Sequence, residues 1–149
     1  MNNSKREELL AVLFKEQKDK GGLSREVLEN IARSMGLSTS EVFGVASFYS
    51  FFALRPLGKY VIRVCKSLPC YYKNSELIIE VIREKLGIGP GETTPDGRFS
   101  LELTNCIGAC DSPPAMLIND TVYKNLNADK VRQVLDEYLE EGVVINNNP

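Results

Sequence analysis

The side chains best equipped for chemistry are four cysteines, and they fall into two closely spaced pairs. Cys65-Lys66-Ser67-Leu68-Pro69-Cys70 reads C-x4-C, and Cys106-Ile107-Gly108-Ala109-Cys110 reads C-x3-C. As thiolates they can bind zinc or iron, join in disulfides, or act as nucleophiles. The 149-residue chain has no histidine. That removes the commonest general base, the Ser/His/Asp and Cys/His arrangements, and every mixed Cys/His zinc site.

Four uses of the thiols compete. Structural disulfides suit small secreted domains that lack an adequate core, whereas a chain of this length buries about 68–70% of its unfolded surface. A dithiol redox pair calls for C-x-x-C at a helix N-terminus, and neither spacing matches. Structural zinc takes four thiolates around one ion and favours C-x2-C knuckles, although longer spacings occur. A 2Fe-2S cluster is larger, takes two thiolates per iron, and so accommodates loops of three and four residues. The spacing therefore favours the cluster and leaves a four-cysteine zinc site open, with four unrelated buried thiols as the plainest alternative.

The composition places these cysteines in an ordinary water-soluble protein. Hydrophobic residues make up 43% and charged residues 26%, with 18 Lys and Arg against 20 Asp and Glu. This balance lacks the basic excess expected of a nucleic-acid binder. No apolar run approaches the roughly 18 residues of a membrane span, and Met1 leads into Asn-Asn-Ser-Lys-Arg-Glu-Glu without a hydrophobic signal region. The expected location is the cytoplasm, with no membrane insertion and no nucleic-acid partner.

The cysteines must be carried by elements, and the pattern supplies them. Three helices fill the first third. Ser4-Lys5-Arg6-Glu7 fits a capping box before a helix running to Gly21-Gly22, Ser24 caps a second that ends at Gly36, and Ser38-Thr39-Ser40-Glu41 opens a third. The third is expected to pass into Phe48-Tyr49-Ser50-Phe51-Phe52 and stop near Arg55-Pro56-Leu57-Gly58. That break divides a helical segment, 1–58, from a second domain, 59–149; the charge difference between them is too small to name a partner. After it, Lys59 to Val64 reads as a buried strand delivering Cys65, Leu77 to Leu86 as a helix closed by Gly87, and Phe99, Leu101 and Leu103 as a strand ending at Cys106. Ala115–Ile118 and Thr121–Tyr123 flank Asn119-Asp120 as a tight hairpin, and Asn127 caps a last helix closed by Gly142, with a loose tail from Val143. The right-handed crossover rule makes the first two strands parallel neighbours about 4.8 Å apart. Their C-terminal ends then bring both cysteine loops to one edge of an α/β sheet, where loop N–H groups can bond sulfur.

Asn105-Cys106-Ile107-Gly108-Ala109-Cys110-Asp111, leading to Pro113-Pro114-Ala115-Met116-Leu117-Ile118-Asn119-Asp120, resembles the thioredoxin-like 2Fe-2S subunit of respiratory complex I and its relatives. Those relatives include NAD-linked hydrogenases, electron-bifurcating ones among them, and formate dehydrogenases. Glu41-Val42-Phe43-Gly44-Val45-Ala46-Ser47-Phe48-Tyr49 resembles the family's helical segment, and Gly91-Glu92-Thr93-Thr94-Pro95-Asp96-Gly97-Arg98-Phe99 its inter-cysteine loop. The resemblance runs from about residue 20 to residue 141. Ser67-Leu68-Pro69 and Asp111-Ser112-Pro113 depart from the complex I pattern and lean toward a soluble complex.

The resemblance implies a mixed sheet flanked by helices, a thioredoxin-like ferredoxin domain at 59–149, behind a helical segment at 1–58 that docks a partner. It implies one 2Fe-2S cluster on Cys65, Cys70, Cys106 and Cys110, with no catalytic residue on this chain. The chain would be a one-electron carrier, and FMN and the NAD(P) site would sit on a larger iron–sulfur subunit. Further hydrogenase, formate dehydrogenase or complex I subunits complete the expected assembly. The reading from a different class is an interaction module stabilised by zinc on the same four cysteines, without redox activity.

Other features are weighed more briefly. Phe48, Tyr49, Phe51 and Phe52 are expected to pack the helical segment against the second domain, or else to face a partner. Tyr71 and Tyr72 either shield the cysteine site or pack a first helical turn. Pro114 is open between cis and trans. Gly89-Pro90-Gly91 is a loop signal and no nucleotide fingerprint.

Overall fold

The computed structural model describes residues 3–144 of the chain, with side chains described from Glu7 to Glu141. The chain divides into two compact units, Met1–Gly58 and Lys59–Pro149.

The first unit is three helices, α1 (Asn3–Lys20), α2 (Arg25–Met35) and α3 (Thr39–Phe48). The local signals act as their chemistry dictates. Ser24 accepts the Val27 N–H, Gly36 closes α2 in the left-handed conformation, and Ser38 and Glu41 complete a reciprocal capping box. Helix α1 begins at Asn3, one residue before the expected Ser4 cap, whose side chain lies outside the described residues. Leu9, Leu13, Val27, Leu28, Ile31, Val42 and Ala46 form the core between the three helices.

Helix α3 is shorter than its sequence suggests. Tyr49 turns extended (φ −89°, ψ 117°), and the aromatic run folds back instead of continuing as helix. Phe51 stacks on Phe14 of α1 at 5.0 Å, Phe52 meets the same ring at 4.9 Å, and only Phe52 of the run is fully buried. Within the helical unit, the run thus packs on itself and on Phe14. Folding back brings Arg55 against Gly22, where a Cβ would stand 2.2 Å from the Arg55 carbonyl oxygen. Only glycine fits there.

The second unit is built on β1 (Tyr60–Cys65), followed by a short helix α4 (Leu68–Tyr72), α5 (Ser75–Leu86), β2 (Phe99–Thr104), the hairpin β3 (Met116–Ile118) and β4 (Thr121–Tyr123), and α6 (Ala128–Val144). The sheet order is β2-β1-β3-β4. β1 pairs β2 in parallel and β3 antiparallel, so β1 is a central strand and is buried almost throughout. This is the expected mixed sheet. One face, with Ile62, Val64, Phe99, Leu101, Met116 and Ile118, packs against Ile78, Val81 and Ile82 of α5 and Val131 and Leu135 of α6. Along the free edge of β2, the 89–98 loop adds backbone bonds, among them Leu101 N–H to Glu92 and Thr94 N–H to Phe99, which cover the exposed edge.

Several boundaries move. β1 runs one residue further, to include Cys65, and β2 stops at Thr104, two residues before Cys106. Helix α6 passes through Gly142 to Val144, because a glycine stops a helix only when it takes the left-handed cap conformation. The rest of the tail expected to be loose lies outside the described residues. At the hairpin, Asn119 alone has positive φ (51°), so the turn lacks the two left-handed residues of type I′. The Pro113–Pro114 bond is cis.

Candidate iron–sulfur site

The sheet sets the position of the site. In the parallel β1–β2 ladder, Cys65 stands opposite Thr104, the last residue of β2. Lys66 N–H then bonds the Thr104 carbonyl at 2.9 Å, and Cys65 N–H bonds the Ala115 carbonyl at 3.2 Å. The chain leaving β1 and the chain leaving β2 are therefore tied together at one sheet end, with the segment entering β3 closing the third side. This is the carboxyl-end location that parallel strands favour for ligand sites.

Each cysteine comes from a different local setting. Cys65 is the last residue of β1, and Cys70 lies in the first turn of α4, with Pro69 just inside its start. Cys106 and Cys110 lie in the loop between β2 and β3. That loop turns at Gly108, whose φ of 79° is the left-handed region. A Cβ there would meet nothing within 4 Å, so conformation and not space requires the glycine.

All four thiols are free, and they stand as two pairs. Cys65 and Cys70 are each 1% exposed, packed with Ala109 and Ala115 and bordered by Ile107. Cys106 and Cys110 are exposed, with their sulfurs 3.1 Å apart. Among the described residues, no three His, Cys, Asp or Glu side chains are grouped as one metal ion would need. Two pairs match two irons, each taking two thiolates.

The backbone is arranged to hold negative sulfur. Gly108 N–H donates to Cys106 Sγ at 3.4 Å. Burial pushes the Cys65 thiol up, but the hydroxyl and N–H of Ser67, the Cys70 thiol and the Ile107 N–H outweigh it, so Cys65 lies below an ordinary cysteine. Burial holds Cys70 above it, with Cys65 adding to the rise and the Ala115 N–H opposing it. In the outer pair, Cys106 is lowered by its bond with Cys110 and by the Gly108 N–H, and Cys110 is raised by its bond with Cys106. One thiol in each pair is thus prepared to ionise first. The donor set and its N–H partners fit a cluster of iron and sulfide.

Beside the site, Asp111 pairs with Lys124 at 3.3 Å, and this cation, with Ser112, holds its carboxyl below the usual carboxylate range. No spacing signal announces Lys124; the β3–β4 hairpin carries it back. Tyr71 and Tyr72 are 55% and 77% exposed and meet each other edge-on, so neither buries against the site or into a core. Ser67 is the contact that cysteine spacing misses, although Ser-Leu-Pro is itself a helix-start signal.

Comparison with known proteins gives this geometry its family. Residues 1–139 match the thioredoxin-like [2Fe-2S] ferredoxin family. The chain is 38% identical over 130 residues to NADP-reducing hydrogenase subunit HndA of Solidesulfovibrio fructosivorans, covering 87% of this chain and 76% of that one. It is 37% identical over 140 residues to a subunit of the NADH-quinone oxidoreductase of Rickettsia typhi, covering 93% and 82%. The fold is shared with an NAD+-reducing [NiFe]-hydrogenase crystallised in the air-oxidized state, at a TM-score of 0.75 and 24% identity, over 87% of this chain and 23% of the longer one. The present chain thus spans about a quarter of that hydrogenase chain. With two thiol pairs at the end of a β1–β2 ladder, and with a family match along nearly its whole length, the four-cysteine zinc reading gives way: the chain belongs to the thioredoxin-like [2Fe-2S] ferredoxin family.

Proposed function

We propose that Cys65, Cys70, Cys106 and Cys110 hold one 2Fe-2S cluster and that the chain serves as an electron-carrying subunit of an NAD(P)H-linked flavoprotein complex. The observation that carries this reading is the meeting of two thiol pairs at one sheet end, each supplied with backbone N–H donors. The cluster, when bound, accepts and releases single electrons. The chain's own contribution is to hold four sulfurs in place, to neutralise part of their charge with N–H dipoles, and to keep one pair out of water.

The partner on this reading is a larger iron–sulfur subunit bearing FMN and the nicotinamide site, as the resemblance to NAD-linked complexes implies. A soluble hydrogenase, electron-bifurcating or not, is favoured over a complex I module by the loop residues Ser67-Leu68-Pro69 and Asp111-Ser112-Pro113. Cytoplasmic placement goes with that choice. Among the described residues, no helix is long and apolar enough to cross a membrane.

Residues 1–58 are the proposed docking segment and 59–149 the cluster domain. A chain starting at Gly58 should keep the cluster and lose its partner subunit in co-purification; retained partner binding would place the docking surface on the second unit. Identifying the co-purifying subunits of the full chain distinguishes the owners, since a hydrogenase, a formate dehydrogenase and membrane subunits cannot be confused.

A further inference from the structure

Ser67 sits where a serine usually caps a helix, yet its hydroxyl is spent elsewhere. It occupies the N-cap of α4 with extended backbone (φ −68°, ψ 160°), and its side chain makes no bond to the first turn. A serine at this position ordinarily caps the first turn through its oxygen, and here it does not. Its Oγ lies 3.0 Å from Cys65 Sγ. That contact joins the residue at the start of α4 to the last residue of β1.

The direction of the bond follows from the chemistry. Between a hydroxyl and a thiol either atom can donate. A cysteine bound to iron has no proton, so only the serine O–H remains as donor. Cys65 is 1% exposed, and a hydrogen bond to charge in such a site is poorly screened.

We propose that Ser67 is a positioning residue that donates its hydroxyl to the Cys65 thiolate and so raises the midpoint potential of the cluster. Reduction adds negative charge that the sulfur ligands share, and a hydrogen bond strengthens with the charge on its acceptor. The bond therefore favours the reduced form. The inference rests on the reading of Cys65 as a ligand, and the test keeps the two apart.

The experiment is a mediated redox titration of the cluster-loaded full chain, followed by EPR, in wild type and in Ser67→Ala, Ser67→Val and Ser67→Thr. At the wild-type midpoint, the Ala and Val variants should show a reduced-to-oxidised ratio lower by about three- to tenfold, tenfold being about 59 mV for one electron. Ser67→Thr, which keeps the hydroxyl, should titrate like wild type. Unchanged midpoints in Ala and Val would overturn the proposal, as would a Thr variant that falls as far as they do. Loss of the cluster from both Ala and Val while Thr retains it would replace tuning with a role in assembly. A wild-type chain that takes up no iron and sulfide would instead refute the ligand reading itself.

Discussion

The two cysteine loops hold the same kind of side chain in opposite surroundings. Cys65 and Cys70 are anchored by a strand and a helix and are sealed from water, whereas Cys106 and Cys110 lie exposed on a loop that turns at a left-handed glycine. The inner pair is a product of the core, because β1 is the central strand and Ala109 and Ala115 close over its end. The outer pair depends on loop conformation alone. Inner sulfurs should therefore govern whether the cluster assembles and what potential it has, while the outer pair should govern how charge and solvent reach it.

The largest difference should appear on removing ligands. Cys65→Ala or Cys70→Ala should abolish the cluster, since so little water reaches this pocket that none can take the place of the lost thiolate. Cys106→Ala or Cys110→Ala should deplete it severely but leave a trace, because water or added thiol can enter. Iron and sulfide analysis of the four variants checks this. Equal retention in both pairs would break the contrast, and full retention in any one variant would remove that residue from the ligand set.

A smaller effect is expected from the turn. Gly108→Ala forces a side chain into the left-handed region, costing about 1–2 kcal/mol. Open space surrounds the position, so the cost is purely conformational. The variant should still bind the cluster and release it faster on exposure to a chelator, with the inner loop untouched. A release rate equal to wild type would mean that the loaded loop takes another conformation.

In the helical unit, Gly22→Ala meets the Arg55 carbonyl instead of open space. Overpacking of this kind costs about 1–3 kcal/mol. Thermal unfolding of the full chain should show an early transition in far-UV circular dichroism, with the visible spectrum of the cluster retained until later. Simultaneous loss of both signals would show that the two units unfold together.

The smallest shifts belong to charge. Asp111 and Lys66 each adjoin one of the four cysteines and are both exposed, and Asp111 is already opposed by Lys124. Lys124→Gln frees that carboxylate and should lower the reduced-to-oxidised ratio by less than about threefold, Lys66→Gln should lower it similarly, and Asp111→Asn should raise it. Titrations at low and high salt should show all three fading as salt rises. An effect insensitive to salt would place these charges inside the protein field and not at its surface.

Much of this arrangement can be read from the chain, for local reasons. The Ser24 and Ser38–Glu41 caps and the Gly36 and Gly87 stops act within one turn, so their sequence signals survive folding. The meeting of the cysteine loops follows from a strand, a helix and a strand with one permitted handedness. What escapes is what depends on distant partners or on very short elements. α4 is only 5 residues long, too brief to show a period. The aromatic run after Phe48 looks helical until Phe14, far away in sequence, supplies the ring it folds onto. Lys124 reaches Asp111 across a hairpin, and Ser67 leaves the first turn of α4 uncapped while its hydroxyl meets the Cys65 sulfur.

The central claim is that the two unlike pairs together hold one two-iron cluster. It is tested most directly by iron, zinc and acid-labile sulfide analysis of the anaerobically purified full chain, with EPR after dithionite reduction. The account predicts iron and sulfide in equal amounts, two of each per chain, no stoichiometric zinc, and a single spin-half signal that disappears on reoxidation. One zinc per chain, with no sulfide and no signal, would contradict it.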